Sequence, residues 1–132
     1  MLELLRGLRV VADPIALDAA RWVGTEVTVL RFAPDDALAI GATGVDLADV
    51  HAIVEPDAGF SGAWLPLGAV ARHIEWPLPP ERPALAQGAI AGVPAKVFLP
   101  DGSAGAGTGA GAGDVLLLTA TAYADELMDR LR

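Results

Sequence analysis

The sequence predicts an α+β fold, with helices on one face of a mainly antiparallel sheet. Three observations carry that prediction. From Thr25 on, β-branched residues alternate with a period of two. Two segments, near residues 67–75 and 121–131, repeat apolar residues at helical spacing. Strand signals separated by short turns fill the interval between them. At 132 residues the chain is sized for a single domain, 1–132, with 1–24 as an N-terminal helical segment and 25–132 as the sheet-bearing region.

Leu2, Leu4, Leu5, Leu8, Val10 and Val11 form a mixed pattern that suits either a short helix or a strand. Asp13-Pro14 is a helix start, because an acceptor side chain precedes a ring already held at helical φ. Ile15, Ala19, Trp22 and Val23 then share a face and Gly24 ends the helix. Residues 25–32 read as a strand, Pro34-Asp35-Asp36 as a turn, and Ala37–Gly41 as the returning strand. Residues 43–49 read as a polar turn or one helical turn, and His51–Val54 as a short strand halted by Pro56.

Gly62–Leu65 is a strand, followed by a helix in which Leu67, Val70, Ala71 and Ile74 lie at i, i+3, i+4 and i+7. Pro77-Leu78-Pro79-Pro80 ends it in an extended, stiff connection. Residues 84–91 and 93–99 form two strands joined at Gly92, with a turn at Asp101-Gly102. Residues 102–113, a Gly/Ala repeat, are expected to be a flexible hairpin loop. Val115–Thr119 is a buried strand, and Thr121 caps a last helix with Ala124, Leu127, Met128 and Leu131 on one face.

Composition excludes several function classes. Seventeen acids against nine bases give a formal net charge of -8, which disfavours nucleic acid and anionic membranes as partners. The absence of cysteine removes disulfides, thiolate nucleophiles and thiolate metal sites. No uncharged run reaches the ~18 residues of a membrane helix, and Glu3 stands where a signal peptide carries bases. The expected setting is the cytoplasm. A hydrophobic content of 53% in so short a chain leaves apolar area for a partner subunit to cover, although alanine inflates the count.

No catalytic set assembles from the residue types. The glycines between Gly105 and Gly113 alternate strictly and precede a strand, so they match neither a dinucleotide turn nor a P-loop. Asp46, Asp49, His51 and Glu55 are close in sequence, but His51 and Glu55 on one strand face stand about 13 Å apart at ~3.3 Å per residue. His73 lies beside the apolar stripe of its helix, as a core-edge histidine does. Ser61, in Gly59-Phe60-Ser61-Gly62, lacks the second glycine of a nucleophile elbow, and a tight turn accounts for both glycines. Lys96, the one lysine, reads as a solvent-facing strand residue rather than a Schiff-base nucleophile. Neither catalytic, cofactor-binding nor metal-ligating residues are expected, and no cofactor. Trp22, Trp64 and Trp76 read first as core residues.

Three runs, Gly62–Leu78, Leu85–Leu99 and Asp114–Leu131, together with the Arg31–Ile40 hairpin, resemble the folate-binding fold of the glycine-cleavage T-protein (aminomethyltransferase) family. Within it they look most like the γ subunit of heterotetrameric sarcosine oxidase. The resemblance implies a ferredoxin-like arrangement in the second half, and a non-catalytic assembly subunit of an oxidase or one-carbon complex. The alternative it implies is a stand-alone binder of a folate-like small molecule. The aminomethyltransferase's catalytic aspartate motif has no counterpart in this chain, so no functional residue carries over. The expected partner is a second copy or a larger enzyme subunit. Ile74, Trp76, Pro77, Leu78, Pro79 and Pro80 are the expected contact, since a stiff proline-rich edge with an aromatic anchor loses little entropy on docking.

Overall fold

The computed structural model describes residues 2–101 and 113–132. The elements run β1 (Glu3–Val11), α1 (Pro14–Asp18), β2 (Arg21–Ala33), β3 (Asp36–Asp46), β4 (Ile53–Pro66), α2 (Leu67–Ala71), β5 (Ala84–Ile90), β6 (Val93–Leu99), β7 (Asp114–Ala120), a 3₁₀ turn (Thr121–Tyr123) and α3 (Ala124–Leu131). The molecule is mixed α/β and mostly sheet, its strands ordered β2-β3-β1-β4-β7-β6-β5. The pairs β1–β3, β2–β3, β4–β7, β5–β6 and β6–β7 are all antiparallel. Two compact units divide the chain: Leu5–Ala58, and the residues up to Leu4 joined by those from Gly59 onward.

The Leu5–Ala58 unit is built on the long β2–β3 hairpin, with β1 on the other side of β3. Val10, Ala12, Leu17 and Ala37 form its small core, with Leu8, Trp22, Val29 and Val45 packed against them. Gly7 is required there, because a Cβ on it would sit 2.1 Å from the carbonyl oxygen of Ala39. Asp13 caps α1 as expected, its side chain accepting from the Ala16 amide, and Pro14 opens the first turn. The helix ends at Asp18, however, not at Gly24. Arg21, Trp22 and Val23 pair with Asp46, Val45 and Gly44, so the supposed helical face is the start of β2. Pairing along β3 satisfies the backbone groups that face it, and that outweighs a weak i, i+4 pattern.

Two further departures lengthen strands. β3 runs to Asp46, through the expected polar turn, and β4 continues through Pro56 for 14 residues. A proline stops a strand only where its missing N–H would have joined the ladder. The glycines flanking Phe60 and Ser61 are therefore strand residues, not a turn. β1, read as helix or strand, is a strand of nine residues.

In the other unit, the expected neighbours β6 and β7 do pair, Lys96 opposite Leu118 and Phe98 opposite Leu116. Val93, Ala95, Val97 and Leu99 alternate inward along β6 to meet Val115 and Leu117 of β7. Val70 of α2 and Leu127 of α3 join the same core, so both helices cover one face, as the two apolar stripes require. α2 is shorter than its stripe, ending at Ala71, yet Ile74 still packs on the core from the turn beyond. Thr121 is not a side-chain cap. It starts the 3₁₀ turn, and its hydroxyl lies 3.0 Å from that of Ser61. Helix α3 follows β7, so the described order is β-α-β-β-β-α, whereas a split βαβ unit runs β-α-β-β-α-β. The Gly/Ala segment expected to be a loop lies outside the described residues, apart from Gly113. That glycine takes φ +82° and its carbonyl accepts from the Leu67 amide.

Candidate functional site

A cleft of about 500 Å³ belongs to the unit containing the two-helix core. Phe60 and Tyr123 stand in its wall with Pro94 and Ala120, and Gln87 and Lys96 are among its polar groups. Their positions follow from register. Gln87 and Lys96 face each other across β5 and β6, which lets the Lys96 ammonium donate to the Gln87 amide oxygen. Phe60 is opposite Ala120, and Tyr123 follows one 3₁₀ turn later. At the edge of the cleft the Thr119 hydroxyl donates 2.7 Å to the carbonyl of Pro94, just past the β6–β7 ladder. A volume of this size suits a drug-sized ligand. The lining is mostly apolar, and the Lys96 ammonium, the Gln87 amide and the Thr119 and Tyr123 hydroxyls are its polar side-chain groups.

The residues singled out in the sequence are scattered. Lys96 is in the cleft, and Ser61 is buried with its hydroxyl hydrogen-bonded to that of Thr121. His73 accepts from the Arg72 Nε at 3.4 Å, and its carbonyl accepts from the Ala91 amide. His51 is exposed in a turn, where its amide donates to Asp49. The Asp49 carboxylate also accepts from the Asp13 amide at 2.8 Å. These two backbone donors, Asp13 first, hold its pKa below the ordinary carboxylate range. Among the described residues no three acidic or histidine side chains converge as a metal site would require.

Of the expected contact segment, Ile74, Trp76 and Leu78 pack against the core of their own unit. Pro77 and Pro80 are exposed and Pro79 is half-buried. The Trp64 ring meets Phe98 edge-on, 6.4 Å between centroids, on the sheet face opposite the helices. Sequence reasoning missed the cleft because its lining comes from residues 60, 87–96 and 119–123, which only the strand register brings together.

The Leu5–Ala58 unit carries two other features. Arg9 makes a two-pronged contact with Asp36, at 2.6 and 2.7 Å, lies 3.7 Å from Asp57 and stacks 4.5 Å above the Phe32 ring. The hydrogen bond to Asp36 is the main reason its pKa rises further. Arg9 thus ties β1 to Asp36 and Asp57 through its charge and to Phe32 through its ring contact. Large apolar side chains also face solvent: Val50 at 95%, Ile15 at 77%, Val23 at 58% and Ile53 at 56% exposure. The Asp13–Asp49 hydrogen bond places Val50 beside the start of α1. A groove of about 520 Å³, bordered by Ile15, Ala19, Arg21 and Leu47, opens there.

No helix among the described residues is long and apolar enough to cross a membrane. Comparison of this chain with protein-family models, with curated proteins and with solved structures finds no match.

Proposed function

We propose that this protein is a non-catalytic assembly subunit, resembling the γ subunit of sarcosine oxidase, in a cytoplasmic oxidase or one-carbon complex. The observation that carries the reading is the set of solvent-facing apolar side chains on the Leu5–Ala58 unit, above all Val50, Ile15, Val23 and Ile53. Apolar side chains of this size, exposed within one small unit, gain most from a partner that removes them from water. The prolines at 77 and 80 supply a second, stiffer contact, with Trp76 holding that segment to its own core. Pairing of β6 with β7, and helices on one face of the second unit, support the T-protein-like, ferredoxin-like description. The β-α-β-β-β-α order departs from it.

Co-purification from the native host at endogenous level tests the reading. The expected result is a stoichiometric complex with a flavin-bearing oxidase subunit, lost in Ile15→Asp and Val50→Asp variants that remain folded. Recovery of the protein as a lone monomer at endogenous level would count against it.

The cleft at Phe60, Lys96 and Tyr123 favours a second reading, a binder of a folate-like molecule. A pteridine would stack on the aromatic wall while Lys96 and Gln87 orient its polar edge. Titration with tetrahydrofolate, read by isothermal calorimetry, separates the two: saturable binding by the isolated chain that Lys96→Ala weakens supports this reading, and no binding removes it.

A further inference from the structure

We infer that a second, smaller pocket in the unit with the two-helix core is a receptor for a short aliphatic carboxylate. The pocket has a volume of about 200 Å³. Its interior is apolar: Leu2, Leu65, Ala69, Met128 and Leu131, drawn from the N-terminal residues, β4, α2 and α3. Its two charged lining residues are both arginines, Arg72 directly after α2 and Arg132 directly after α3. In a chain of net charge -8, two guanidiniums on one small apolar pocket are a local reversal of sign.

The neighbours of those arginines leave them able to take a ligand. Among the described residues Arg72 forms no ion pair, and its side chain donates only to the ring of His73, at 3.4 Å. Arg132 lies 3.6 Å from Asp129, a pair in which both side chains are about three-quarters exposed and which a ligand can displace. A guanidinium offers a planar fork that matches a carboxylate, and does so better beside apolar surface than in open water. The apolar interior calls for a tail, and the arginines call for an anionic head. A volume below the ~300–1,000 Å³ of drug-sized sites makes the tail short. Met128 suits such an occupant, being unbranched and able to adjust to tails of slightly different length. This pocket shares no lining residue with the larger cleft and does not depend on the assembly reading.

The chain has two methionines, Met1 and Met128, so ¹³C-methyl labelling of methionine gives a direct reporter inside the pocket. Octanoate, octylamine and octan-1-ol are titrated below their micellar range. The expected result is a saturable shift of the Met128 methyl with octanoate, at an affinity at least tenfold above that for octylamine or octanol. Arg72→Gln, a change on an exposed residue, should weaken octanoate about five- to tenfold and leave octanol unchanged. Ala69→Leu, which fills the pocket, should abolish the shift while far-ultraviolet circular dichroism stays the same. Equal binding of the three probes, an unaltered octanoate affinity in Arg72→Gln, or no saturable shift of Met128 would each overturn the inference.

Discussion

The indole N–H of Trp76 donates to the carbonyl of Ala89 at 2.9 Å. Ala89 lies opposite Pro94, one position before the Ile90–Val93 pair that closes a two-residue turn, so its carbonyl points away from β6. Trp76 thus satisfies an outward-facing group of β5, which ends the strand order. His73 adds a second tie by accepting from the Ala91 amide. An open strand edge is a template for unwanted pairing, and this segment blunts it. Gly88 makes the contact possible, because a Cβ there would meet the indole at 2.9 Å.

Trp76→Phe keeps the packing and removes the donor, and should lower stability by about 1 kcal/mol in urea unfolding. Gly88→Ala should cost roughly 1–3 kcal/mol, since the indole must leave the strand surface. If Gly88→Ala were neutral, the indole would not lie on the strand in solution.

Arg9 and Asp36 should show coupling of about 1–2 kcal/mol in a double-mutant cycle of Arg9→Ala with Asp36→Ala. The geometry is two-pronged and both side chains are mostly shielded. Arg130 and Glu126, an i,i+4 pair about half exposed on each side, should couple by only about 0.3–0.5 kcal/mol. Equal couplings would mean that shielding and geometry make no difference here.

Acid should loosen the 49–52 turn before the core. The folded Asp49 carboxylate has a lowered pKa, so its contribution is complete above the unfolded pKa and is lost as pH falls through the folded value. The protection factors of the Asp13 and His51 amides, which correct for the intrinsic pH dependence of exchange, should fall in that range, and Asp49→Asn should lower them already at neutral pH. Protection at these two amides that does not change with acid would separate them from the carboxylate.

Ala91→Asn should stabilise the β5–β6 hairpin by roughly 0.5–1 kcal/mol. Ala91 holds φ +50° and Gly92 φ +81°, the left-handed pair of a type I′ turn, where Asn-Gly is preferred and alanine is strained. The thermal midpoint of unfolding reads the change, and a fall in that midpoint would contradict the turn assignment.

The sequence by itself determined the elements whose signals are local. The Asp13-Pro14 cap, the hairpin around Gly92, the apolar run of β7 and the Leu127 stripe of α3 each depend on residues a few positions apart. Tertiary structure decided everything that local energetics left nearly balanced. Arg21–Val23 are helical by pattern and a strand by pairing, since β3 sets Asp46, Val45 and Gly44 opposite them. β4 passes through Pro56 and then lies against β7, some fifty residues on, a partnership without any local mark in either segment. Trp76 could be read as turned outward or inward, and the carbonyl of Ala89 and the bare backbone of Gly88 turned it inward. Both pockets belong to this second class. Their linings come from separate strands and helices, so their shape follows from register and packing, which no window of the sequence contains.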